Sequence, residues 1–215
     1  MGQFVQKFTF NDFQENTYVV FDDLKNCVII DPGCYARREQ EELMYFIDEH
    51  DLTPRAVLLT HAHIDHVLGL AFVMQQYAIE CYIHSADLQT LSAVSNYAHI
   101  YGFPGYVEAP VPTKIMKHQD HLEFGNIQLK VLYTPGHSPG HVVFYAGKEQ
   151  FVINGDVLFR GSFGRVDLPG GDIEVLKKSI FDVMFKLPGE TVVYCGHGPE
   201  TTIGNEQRTN YILNF

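Results

Sequence analysis

The chain has 215 residues, 46% of them hydrophobic and 19% charged, with a formal net charge of −11. This is a globular composition, long enough to bury a sizeable core, and it is read as one domain over 1–215. It argues against nucleic-acid binding, since Lys177-Lys178 is an isolated pair rather than a basic patch, and against a membrane protein, since no apolar run approaches a span.

In chain order, apolar runs and turn residues predict strands over 4–10, 18–21 and 27–31, with a turn over 22–26. Leu43, Phe46 and Ile47 share one face of a helix over 37–50, and a strand over 56–60 follows. A helix over 66–77 leads to a strand over 80–84, where Ser85 is expected to cap the next helical turn. The stretch 96–117 carries Tyr97, Tyr101, Phe103 and Tyr106 among prolines and glycines, and reads either as a lid or substrate wall or as a surface loop packed on the body. Strands are expected over 121–124, 127–133, 141–146 and 150–154, a glycine-shaped loop over 159–172, a helix over 173–187, a strand over 191–195 and a closing helix over 205–213. No internal repeat is evident. Cys27, Cys34, Cys81 and Cys195 lack CxxC spacing and read as small core residues, not disulfides. The opening Met1-Gly2-Gln3-Phe4-Val5-Gln6-Lys7 has no apolar core of a secretory leader and a poor myristoylation context, so the cytoplasm is the expected compartment.

The strand over 56–60 runs into Thr60-His61-Ala62-His63-Ile64-Asp65-His66, which gathers imidazoles and a carboxylate at a strand end. Those groups suit zinc, iron and manganese. A strand delivering the first two histidines, and a helix starting near Asp65 or His66 delivering the next two groups, can serve two ions a few ångströms apart. Further candidates end other strands beside glycine: His137 in Thr134-Pro135-Gly136-His137, Asp156 in Asn154-Gly155-Asp156, and His197 in Cys195-Gly196-His197-Gly198. Glycine permits sharp turns and close approach, and strand ends are where layered α/β proteins build sites.

With these motifs in place the chain resembles the metallo-β-lactamase superfamily, and within it the short form of the glyoxalase II, or hydroxyacylglutathione hydrolase, branch. The likeness runs from about Phe13 to Tyr211, and Gly155-Asp156-Val157-Leu158-Phe159-Arg160-Gly161-Ser162-Phe163-Gly164-Arg165 points to thioester hydrolases and their sulfur-metabolising relatives. The resemblance implies an α/β fold, a four-layer αβ/βα sandwich with the metal site at one edge of two sheets. It implies two divalent metal ions, zinc first with iron or manganese as alternatives. His61, His63 and His137 would hold one, Asp65, His66 and His197 the other, and Asp156 would bridge them. Asp65 would also orient a metal-bound hydroxide attacking a small-molecule thioester, whose thiolate leaves without much acid assistance. Arg165 falls where the branch keeps a basic residue that contacts the glutathione moiety, and its structural role would be a contact with Asp167. Full-length members carry a helical extension with further glutathione contacts, to which the tail after His197 has no counterpart.

Ser138 and Ser162 have no partner to activate them and read as turn residues. His141 either starts the next strand with no catalytic task, the preferred reading, or donates to a ligand carboxylate. Two other activities fit the same motif. One is a mononuclear iron persulfide dioxygenase using His61, His137 and Asp156 as a facial triad. The other is a non-catalytic, metal-stabilised binding protein.

Overall fold

The computed structural model describes residues 2–112 and 114–215, so Met1 of the opening stretch and Thr113 of the aromatic loop lie outside it. A first sheet has the order β1(Gln3–Phe10), β2(Glu15–Asp22), β3(Asn26–Ile30), β4(Thr53–Leu58), β5(Glu80–His84) and β6(Lys114–Met116). The second has the order β14(Thr201–Thr202), β13(Val192–Cys195), β10(Phe151–Gly155), β9(Val142–Ala146), β8(Ile127–Tyr133) and β7(His121–Phe124). Around them pack α1(Arg37–Glu49), α2(Ile64–Val67), α3(Leu70–Tyr77), α4(Leu88–Tyr97), α5(Ile173–Lys178) and α6(Ile203–Thr209), while β11(Leu158–Phe159) and β12(Ser162–Phe163) form a small hairpin.

The period-two alternation of strands sorts the core into layers. On β2, Tyr18 and Val20 face the second sheet and meet Val131 and Phe144, whereas Val19 faces the other way, toward Leu43 and Ile47 of α1. On the far face of the second sheet, Val143 and Val152 pack on Leu176 of α5 and Ile203 of α6. The result is the expected four-layer αβ/βα sandwich.

Strand direction positions the site. β3, β4, β5 and β6 run parallel to one another, and β10 runs parallel to β13. Because β9 is antiparallel to both β8 and β10, β8 points the same way as β10. The C-terminal ends of β4, β8, β10 and β13 therefore open toward one edge. The sheets are tied there by Val142 N–H donating to Thr60 C=O at 2.8 Å and Asn16 N–H donating to Gly196 C=O at 2.7 Å. The Tyr18 hydroxyl adds a bond to Cys195 C=O at 2.6 Å.

Several boundaries differ from expectation for local reasons. The helix expected over 66–77 breaks at Gly69, whose N–H reaches Pro32 C=O at 2.8 Å and where a Cβ would sit 2.7 Å from Cys34 C=O. The helix expected over 173–187 is α5 followed by a π turn and a 3-10 turn, with the Ser179 hydroxyl drawn to Pro135 C=O at 2.6 Å. The closing helix stops at Thr209 because the Asn210 side chain caps a new turn over Tyr211–Asn214. It is the His84 ring, not Ser85, that caps the turn before α4, by accepting from Ala86 N–H. The stretch 96–117 begins in α4 and ends in β6. Its Phe103 is buried against Tyr35 and Phe13, so part of the stretch packs on the body as expected of a surface loop, while Tyr97 and Tyr101 face a cleft. No helix among the described residues is long and apolar enough to cross a membrane.

Candidate metal centre

All seven residues singled out as ligands meet at that edge. The loop after β4 supplies His61 and His63, α2 supplies Asp65 and His66, and the turns after β8, β10 and β13 supply His137, Asp156 and His197. Donor atoms of His61, His63 and His137 lie within 4.8 Å of one another, as do those of Asp65, His66 and His197. Asp156 stands between the groups: its carboxylate oxygens lie 3.5 Å from Nε2 of His66, of His137 and of His197. Asp65 Oδ2 is 3.0 Å from His197 Nε2.

The ring nitrogens are assigned by what lies behind each imidazole. Nδ1 of His66 faces Asp31 Oδ2 at 3.1 Å, Nδ1 of His137 faces Arg165 C=O at 2.7 Å, and Nδ1 of His197 faces Phe13 C=O at 3.1 Å. Nδ1 of His61 meets the Thr60 hydroxyl at 3.0 Å. In each case Nε2 is left for the centre, the arrangement that orients metal-binding histidines. His61 Nε2, His66 Nε2 and Asp156 Oδ1 are buried without a hydrogen-bond partner. Buried polar atoms are costly unless satisfied, and unpartnered atoms converging from different strands suit divalent cations.

The electrostatics of the two triads differ. Burial and neighbouring imidazoles depress the His61 pKa, and burial with His137 brings His63 to about 3, so both rings are neutral and have a free lone pair at neutral pH. Burial disfavours ionised Asp156, yet His66, His137 and His197 hold its carboxyl far below the usual range. Burial likewise opposes a charged His66, but Asp65, Asp156 and Asp31 raise its pKa well above 6.5. Asp65 is also held low, by His66 and His197 against the cost of burial.

Three supporting acids had not been singled out. Asp31, with φ of 50°, accepts from Thr60 N–H at 2.7 Å and the Thr60 hydroxyl at 2.5 Å while its Oδ2 meets His66. The fully buried Glu15 lies 3.8 Å from His66 Nδ1. Asp87, fully buried before α4, accepts from Ala62 N–H at 2.8 Å, the Ser138 hydroxyl at 2.6 Å and Gly140 N–H at 2.8 Å. It thus ties the His61–His63 loop to the His137 loop. Ser138 is accordingly more than a turn residue, but its proton is committed to a buried acceptor and it has no nucleophile's geometry. His141 does not donate to a ligand carboxylate. Its Nε2 accepts from Asp156 N–H at 3.1 Å, and its ring stacks on His61 at 4.7 Å. It fixes the backbone under Asp156, a role beyond starting a strand.

The centre forms the floor of a cleft of about 990 Å³, walled by α4, Phe13 and the 159–170 loop. Arg165 lies on this cleft, with Nε 2.7 Å and Nη2 2.6 Å from the two oxygens of Asp167, so the Asp167 contact is present.

The sequence profile of the Metallo-beta-lactamase superfamily matches residues 10–197. The chain is 36% identical over 204 residues to the hydroxyacylglutathione hydrolase GloC of Haemophilus influenzae, an alignment covering 94% of each protein. Among solved structures it is similar to the BLEG-1 B3 metallo-beta-lactamase, with 37% identity and a TM-score of 0.90 over 99% of this chain and 100% of that one. It is also similar to TTHA1623 in a di-iron-bound form, with 40% identity and a TM-score of 0.86 over 96% and 98%.

Proposed function

The chain belongs to the metallo-β-lactamase superfamily and is a metallo-hydrolase, and we propose that it is a thioesterase of the glyoxalase II type that cleaves S-(2-hydroxyacyl)glutathione or a related thioester. The observation carrying the reading is the convergence of two ligand triads on Asp156. In this reading His61, His63 and His137 would hold one ion and Asp65, His66 and His197 the second, with Asp156 available to both. Zinc suits five imidazoles and two carboxylates, and iron is the alternative, as in the di-iron form of TTHA1623. When bound, such a pair of ions lowers the pKa of a shared water and polarises a carbonyl.

The chain's own residues do the rest. Asp65, kept ionised, accepts a hydrogen bond from the attacking water and aims it. Asp31, Thr60 and the carbonyls of Arg165 and Phe13 hold the imidazoles in one tautomer and orientation. Among the described residues that line the cleft, those outside the proposed ligand set include no strong general acid: Tyr97 is pushed up to about 12 by burial and Tyr101, and Arg165 is a permanent cation. A thiolate can leave without that help, whereas an amine cannot, which favours thioesters over amides.

β-Lactam hydrolysis is the second reading, favoured by the likeness to BLEG-1. A mononuclear persulfide dioxygenase using His61, His137 and Asp156 is the third reading, and the second triad does not decide against it, because those residues can persist without holding an ion. The test is a panel of S-D-lactoylglutathione, a cephalosporin and glutathione persulfide assayed on zinc- and iron-loaded protein. Thioester hydrolysis that Asp156→Ala abolishes is the expected result. Turnover confined to the cephalosporin or the persulfide would replace the reading.

A further inference from the structure

The cleft above the centre is built for something other than a charged peptide. Ala86, Thr90, Ala93 and Tyr97 recur at helical spacing and present one stripe of α4 and its leading turn to the cleft. Leu91 and Val94, off that stripe, are buried in the core. Small residues at three of the four stripe positions leave room where larger ones would fill the cleft. From the other side come Phe159, Phe163, Leu168 and Pro169. At the mouth Ile100 is 73% exposed, an apolar side chain left in water beside the opening.

Charge points the same way. Apart from the histidines and aspartates of the centre, Arg165 is the one charged residue among the described residues lining the cleft. Both of its bonded nitrogens face Asp167, so the pair is neutral as it stands. A glutathionyl arm brings two carboxylates and an ammonium. Away from the ions that the centre would hold at the cleft floor, it would find one cation, already matched, on a chain of net charge −11. Burying carboxylates without partners is costly, whereas an uncharged apolar arm gains by covering the α4 stripe.

We propose that the thioester this cleft takes carries an uncharged, apolar thiol arm, bulky or aromatic, seated between the α4 stripe and the 159–170 loop. The proposal rests on the thioesterase reading and narrows it to a substrate class. One pair of substrates tests both. The same D-lactoyl group is placed on glutathione and on N-benzoylcysteamine, aliphatic thiols of similar acidity, and kcat/KM is measured for the metal-loaded enzyme. The expected result is at least about a tenfold preference for the N-benzoylcysteamine ester, the scale on which apolar pockets discriminate. Ala93→Lys, at a half-buried helix position, should narrow or reverse that preference while melting temperature and metal content stay at wild-type values. Equal rates, or a preference for the glutathione ester, would overturn the proposal and leave the thioesterase reading standing. Hydrolysis of neither ester would instead refute that reading. A preference unmoved in folded, metal-loaded Ala93→Lys would remove α4 as the recognition wall and overturn the assignment of the arm.

Discussion

Replacing Asp87 with alanine should damage the centre from a position that is not itself among the ligands. The carboxylate accepts from Ala62 N–H and Gly140 N–H, both at 2.8 Å, and from the Ser138 hydroxyl at 2.6 Å. Ala62 lies between His61 and His63, Ser138 follows His137, and Gly140 precedes His141. Stranding a buried donor costs about 1–3 kcal/mol, so three stranded donors give a gross penalty of roughly 3–9 kcal/mol. Part is returned. Burial raises the Asp87 pKa despite those three bonds, so the carboxylate is itself expensive to bury, and its removal recovers several kcal/mol. The net expectation is a loss of about 3 kcal/mol in the urea-unfolding free energy of metal-free protein. Metal content, read by mass spectrometry, should fall from two ions per chain toward one, because His61, His63 and His137 lose their common tether while Asp65, His66 and His197 keep theirs. Asp87→Asn retains one acceptor oxygen and should recover part of both. A change below about 0.5 kcal/mol with two ions retained would refute the tether, since a buried network residue cannot be that cheap to delete.

Two further substitutions probe the frame. Gly155 has φ of 52°, and a Cβ there would sit 2.8 Å from both His141 Nε2 and Thr60 Cβ. Gly155→Ala should therefore cost more than about 1 kcal/mol in unfolding free energy and lower turnover; near-wild-type values in both assays would contradict the packing under Asp156. Glu206 is buried yet held below its ordinary value of 4.5, because bonds from Thr201, Asn210, Asn205 and Gly161 N–H outweigh burial. A depressed carboxyl contributes stability above pH 4.5 that is lost as pH falls through its lower folded value. Glu206→Gln should cost about 1–3 kcal/mol at pH 7 and progressively less below pH 4.5, as followed by urea unfolding across pH. A constant deficit across that range would contradict it.

The strands and the metal-loop residues were legible because each group of candidate ligands follows an apolar run, and His137, Asp156 and His197 also sit beside glycine, a local signal. Asp31 carried the same signal, closing a run just before Pro32-Gly33, and its role could have been read from it. The core-facing side of α4, which was not read as a helix, was nonetheless legible in the spacing of Leu88, Leu91 and Val94. Asp87 was not. In sequence it resembles a helix-capping acid, and its bonded partners are 25, 51 and 53 residues away. Only the meeting of the two sheet edges gives it a function. The same holds for His141, whose partner Asp156 N–H belongs to a turn 15 residues further along the chain. The π turn after α5 was hidden for a related reason, since it answers to Ser179 reaching the carbonyl of Pro135 in a distant loop.

The central claim is that both triads act together. Metal-free protein should be titrated with Zn²⁺, and separately with Fe²⁺ without oxygen, while thioester hydrolysis is followed by thiol release. Activity should rise to a plateau at two equivalents per chain, with kcat/KM above about 10⁴ M⁻¹s⁻¹ for at least one thioester. A plateau at one equivalent, with the second ion bound but inert, would contradict it.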